Sequence, residues 1–123
     1  MNTTHPTREQ ALELIEKYST STKQHLLQVG EIMKYFAEKL WEDAHYWWLV
    51  GALHDIDWDY IEKDGDRHIA EDLEKILLEI GASEELIGDI RAHGYHLPHI
   101  TDEPNTLVRK YICAVDELSG FMW

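Results

Sequence analysis

Leu53-His54-Asp55-Ile56-Asp57 places an imidazole beside a carboxylate, with a further acid two residues on. Such a stretch presents mixed nitrogen and oxygen ligands to a metal ion. Upstream, Trp47, Val50, Gly51 and His54 fall at helical spacing, which predicts a helix from about Glu42 to Asp55. Asp55 lies about 100° further round the axis, so His54 and Asp55 share one ion only near the helix end. Ile56-Asp57-Trp58-Asp59 suits such an end, as a loop carrying more acids over a site. Trp47 and Trp48 are packing residues. The other candidate ligands, His25, His68, His93 and Asp116, recur near the ends or inner faces of predicted helices, and a helical bundle is able to bring them together.

Working outward, Thr7-Arg8-Glu9-Gln10 has the form of a capping box ahead of Ala11, Leu12, Ile15 and Tyr18, which predicts a first, covering helix. After the polar break of Ser19 to Thr22, the stripe Leu26, Val29, Met33, Phe36 and Leu40 predicts a second helix, with His25 facing inward near its start. Asp64-Gly65 marks a turn. Asp66 is placed to cap a fourth helix with Ile69, Leu73, Ile76 and Ile80 as its core stripe, Gly81 as its terminator and His68 in its first turn. Ser83-Glu84-Glu85 opens a fifth helix whose face Leu86, Ile90 and His93 carries the histidine inward. Gly94 to Pro104 reads as a long loop, of a length common in lids, and holds His96 and His99. The last helix carries Leu107, Val108, Tyr111, Ile112 and Val115, with Asp116 in register with Arg109 and Ile112. With no strand signal, the fold expected is an all-α bundle of about six helices.

The 123 residues fit one domain with a modest core. Acids exceed bases by 24 to 11, and the net charge of −13 argues against tracking a DNA or RNA backbone. It does not exclude a small phosphorylated substrate, provided a bound cation supplies local positive charge. No apolar run approaches the roughly 20 residues needed to span a bilayer, and the first ten residues lack a signal peptide's apolar region, so a cytoplasmic location is expected. Cys113 reads as a small buried hydrophobe. The apolar end Phe121-Met122-Trp123 calls for a fold-back, a second subunit in a homodimer, or a continuation of the chain beyond Trp123.

Taken in order, His25, His54-Asp55 and Asp116 resemble the H…HD…D signature of the HD-domain superfamily of metal-dependent phosphohydrolases. Ala114-Val115-Asp116-Glu117-Leu118-Ser119-Gly120 is similar to the final-helix segment of its small bacterial members. The resemblance spans nearly the whole chain and implies a helical bundle in which these four residues hold a divalent metal (Mn, Fe, Ni, Co, Zn or Mg). It also implies that His68 and His93 hold a second ion, with Asp55 bridging the two. Two departures stand out. Gly94 follows His93 where many binuclear members double the histidine, and Trp58-Asp59 stands where the alarmone hydrolases carry Glu-Asp.

Imidazole and carboxylate ligands without thiolate suit an open catalytic site. A divalent ion lowers the pKa of bound water from about 16 to about 7 and neutralises phosphoryl charge. The activity implied is hydrolysis of a phosphomonoester or phosphodiester in a nucleotide-like small molecule. A diiron oxygenase and a non-catalytic metal-binding module are the rivals. Asp55, Asp57 and Asp59 are the acids expected to take part. Asp57 or Asp59 would orient water, protonate a leaving group or brace the histidines. Arg67, beside His68, is the first candidate for substrate phosphate, ahead of Lys63, Arg91 and Arg109.

Overall fold

The computed structural model describes residues 5–62, 64 and 67–122, and side chains as far as residue 118. It contains six α-helices: α1 (Arg8–Tyr18), α2 (Lys23–Lys39), α3 (Ala44–Leu53), α4 (Glu71–Leu78), α5 (Glu84–Arg91) and α6 (Leu107–Met122). A single 3₁₀ turn, Ala92–Gly94, continues α5, and no strand occurs among the described residues. None of these helices is long and apolar enough to cross a membrane.

The fold is built around α3, whose residues Tyr46 to Leu53 are all buried. A helix apolar on every side is stable only at the centre of a bundle, and Ala-His-Tyr-Trp-Trp-Leu-Val-Gly-Ala-Leu has that character. Asp43 starts it by accepting from the Tyr46 amide at 3.1 Å. The helix begins two residues after the expected Glu42. It ends at Leu53, so His54 is its C-cap and Asp55 already lies in the following turn.

Against α3 lies α2, and two glycines set how close they come. A Cβ on Gly51 would stand 2.7 Å from the Val29 carbonyl oxygen and 2.9 Å from the Gly30 Cα. One on Gly30 would stand 2.9 Å from the Trp48 Nε1. The two backbones therefore touch where any larger residue would hold them apart, and this contact fixes His25 on α2 relative to His54 on α3. α1 covers the pair through Ala11, Leu14 and Ile15, with the Thr7–Gln10 capping box formed as expected. Leu14 faces the core more fully than Leu12, which is only half-buried.

On the other side, α6 inserts Val108, Ile112 and Val115, and the Tyr111 ring lies 5.1 Å from Phe36 and 5.3 Å from Trp47. Asp89 on α5, itself buried, accepts from Arg109 of α6 at 2.8 Å and from the Tyr46 hydroxyl of α3, locking three helices together. Ser83 caps α5 by accepting from the Leu86 amide, and Gly81 takes a φ of +73° where α4 stops.

The fourth helix departs from expectation. It starts at Glu71, so His68 and Ile69 precede it, and Ile69 has a φ of +57°, which no helix tolerates. The cause is tertiary: the buried Asp57 carboxylate accepts from the Ile69 amide at 2.8 Å and from His68 Nδ1 at 3.1 Å, pulling this segment out of line. The expected cap, Asp66, lies outside the described residues. The segment after Gly94 is equally tied down. Leu97 packs on the core, Ile100 is buried, and His99 Nε2 donates to the His68 carbonyl at 3.0 Å.

Adding Cβ branches at the α2–α3 contact is expected to be costly. Gly51→Val should lower stability by about 3 kcal/mol, read as a fall in the denaturant midpoint by circular dichroism. An unchanged midpoint would mean that the helices do not need this approach.

A candidate metal centre at the open end of the bundle

Asp55 emerges from the end of α3 with its two carboxylate oxygens facing opposite groups of imidazoles. Oδ2 stands 3.2 Å from His54 Nε2 and 3.8 Å from His25 Nε2. Oδ1 stands 3.1 Å from both His68 Nε2 and His93 Nε2. Asp116, from α6, closes the first group, with Oδ1 at 3.0 Å from His54 Nε2 and 3.9 Å from His25 Nε2. The result is two donor sets, His25–His54–Asp55–Asp116 and Asp55–His68–His93, each gathered within 4.8 Å.

The backs of three imidazoles are fixed. His54 Nδ1 donates to the Gly51 carbonyl at 2.6 Å, His93 Nδ1 donates to the Ile90 carbonyl, and His68 Nδ1 bonds Asp57. A carbonyl only accepts, so in His54 and His93 Nδ1 carries a proton and Nε2 is the atom turned to the centre. Anchoring of this kind orients metal-binding histidines and raises their basicity. The spacing fits as well. Donors about 2.1 Å from one ion stand about 3.0 Å apart along an octahedral edge, close to four of the six separations given above.

The electrostatics favour a cation. Burial pulls the His54 imidazole down, but the Asp55 and Asp116 carboxylates outweigh it and hold His54 well above its usual range. His68, lowered by burial and raised by Asp55 and Asp57, comes out at about 9. Burial pushes the Asp55 and Asp116 carboxyls up, yet their imidazole neighbours hold both well below the ordinary carboxylate range. The pocket is thus arranged around positive charge, whether from protons or from a metal ion.

The structure separates the remaining candidates. Asp57 is fully buried beneath His68 and has no exposed surface from which to meet substrate, so of its expected roles the bracing one matches its position. Asp59 departs from expectation: its carboxylate is taken up by the turn before α2, where it accepts from the Ser21 and Thr22 amides. Arg67 is exposed and donates to Asp72 at 3.0 Å. Arg91 is held by Asp102, and Arg109 by Asp89. Each of these three arginines has a carboxylate partner. Lys63 lies outside the described residues. Gly94 has a local reason, because a Cβ there would stand 2.3 Å from Ile69 Cδ1.

Beside the centre, and sharing His93 and Asp116 with it, opens a cleft of about 460 Å³. Its other walls are Tyr95, His96, Pro104, Cys113 and Glu117. Of these, sequence placed His96 on the long loop as a residue able to touch substrate, and passed over Tyr95 and Glu117 as possible substrate contacts. The adjacency of Glu117 to Asp116 was the available signal. Cys113 is half-buried rather than buried, and its thiol donates to the Ala92 carbonyl at 3.4 Å. Burial, then Asp116 and Glu117, push its pKa up, which disfavours a nucleophilic thiolate.

An all-α bundle that gathers histidines and aspartates at one end defines a class of helical proteins with a candidate metal centre. The model of the HD domain family matches residues 22–120, and the chain belongs to that family. No curated protein and no solved structure matches it.

Asp59 has a structural task. α2 has no side-chain cap of its own, and Asp59 accepts instead from the backbone amides of Thr20, Ser21 and Thr22 at 2.8, 3.0 and 3.2 Å. The Ser21 and Thr22 hydroxyls add to this at 2.8 and 2.9 Å. The loop after His54-Asp55 is thereby tied to the helix start that carries His25. Burial raises the Asp59 carboxyl, but these donors outweigh it and hold it below its ordinary value. A depressed carboxyl stabilises the fold above its unfolded pKa and loses that contribution as pH falls through the folded one. Asp59→Asn should therefore lower stability at neutral pH. The difference between the two proteins in urea titrations should begin to shrink as pH falls through about 4 and vanish once pH is below the folded pKa, and a gap that does not shrink would refute the ionic anchor.

Proposed function

We propose that the chain is a metal-dependent phosphohydrolase acting on a small, nucleotide-like phosphoester through water. The observation that carries this is Asp55, whose two oxygens face separate imidazole sets, an arrangement suited to joining two cations. His25, His54, Asp55 and Asp116 would hold one divalent ion, and Asp55, His68 and His93 a second. When bound, such ions supply Lewis acidity toward phosphoryl oxygens and lower the pKa of water.

The protein's part is positional. Asp57 keeps His68 Nε2 turned toward Asp55, while the Gly51 and Ile90 carbonyls do the same for His54 and His93. The cleft beside His93 and Asp116 receives the organic part of the substrate and sets its phosphoester at the open end of the bundle. The Trp58 ring packs against His68, with ring centroids 4.9 Å apart.

The test is metal analysis of the purified protein, followed by phosphate release from a panel of phosphoesters with manganese supplied. Wild type should retain a divalent metal and release phosphate. His54→Ala and Asp55→Ala should lose most of the metal and at least about 100-fold in rate. Equal, negligible metal in all three proteins would overturn the proposal. Oxygen consumption by the ferrous-loaded protein, without phosphate release under any condition, would favour the diiron oxygenase instead.

A further inference from the structure

The cleft that opens from the centre has a composition that bears on selectivity. Because His93 and Asp116 belong to both, a phosphoester held at the centre extends its leaving group into this cleft. Among the described residues that line it, none is lysine or arginine. The arginines of α5 and α6, Arg91 and Arg109, are held by Asp102 and Asp89. Beyond the candidate ligands the cleft offers the Glu117 carboxylate, exposed one residue after Asp116, and the His96 imidazole. Opposite, on the segment after Gly94, stands the Tyr95 ring, 46% exposed, and Pro104 and Cys113 add apolar surface.

Resting on the phosphohydrolase reading, we propose that Glu117 and Tyr95 are specificity-determining residues that restrict this site to monophosphates with an uncharged, flat, hydroxyl- or amine-bearing leaving group. A second phosphate would enter the cleft beside Glu117 with no lysine or arginine among its described lining to balance it, and like charges a few ångströms apart at a partly wet surface repel. A hydroxyl or amine instead donates to the Glu117 carboxylate. The Tyr95 ring supplies a face on which a planar group stacks. The volume of about 460 Å³ lies within the range of pockets for molecules of that size.

The experiment compares kcat/KM for adenosine 5′-monophosphate and adenosine 5′-diphosphate, with glycerol 2-phosphate as a substrate lacking a ring, on the manganese-loaded protein. Wild type should prefer the monophosphate over the diphosphate. Glu117→Gln should narrow that preference about tenfold, the equivalent of about 1.4 kcal/mol, through the diphosphate's KM. Tyr95→Ala should raise KM for adenosine monophosphate about tenfold and leave glycerol 2-phosphate unchanged. Metal content and thermal midpoint, measured on each variant, should match wild type. Phosphate release with an unaltered preference in Glu117→Gln, or with both KM values unmoved in Tyr95→Ala, would overturn this inference and leave the phosphohydrolase reading standing. Release from no phosphoester would overturn both.

Discussion

A carboxylate has two oxygens, and in Asp55 each faces its own pair of imidazole nitrogens, at 3.1 to 3.8 Å. Neutral imidazoles fixed by Nδ1 turn lone pairs toward that carboxylate, a repulsive arrangement unless positive charge lies between them. The shifts agree, with His54 and His68 raised and Asp55 and Asp116 lowered. Much of the architecture serves this convergence. The α2–α3 glycine contact sets His25 against His54, α6 brings Asp116, and the 3₁₀ turn after α5 aims His93.

The loop that follows Asp55 divides its acids among tasks. Asp57, buried, braces His68 and holds Ile69 at positive φ. Asp59 caps α2 across space through Thr20 to Thr22. Two of the three acids in Asp55-Ile56-Asp57-Trp58-Asp59 thus build the frame around the third. A buried polar group costs stability unless its hydrogen bonds are satisfied, which is why these side chains point where donors await them.

The cleft extends the same theme of charge placement. The centre gathers imidazoles, while Glu117 just outside adds negative charge and the arginines of α5 and α6 are committed to Asp102 and Asp89. The chain as a whole is acidic, with a net charge of −13. On the proposed reading, the consequence for substrate choice is local and rests with a few side chains around His93.

What the amino-acid sequence determined by itself was periodic or local. The all-α fold, the capping box at Thr7, the Ser83 cap and the Gly81 stop follow from helical spacing and from single-turn hydrogen bonds, and these survive folding unchanged. The order of His25, His54-Asp55 and Asp116 was enough to suggest a shared centre, because each sits at a helix end or inner face. Tertiary structure decided the rest. Only packing shows that α3 is buried on all sides, and only the bond from the Ile69 amide to Asp57 takes His68 off the helix expected to begin at Asp66. The different fates of Asp57 and Asp59 were not legible either, since their partners lie 12 and about 38 residues away. Periodicity reports which face of an element is buried. It says nothing about which distant donor a loop carboxylate will meet.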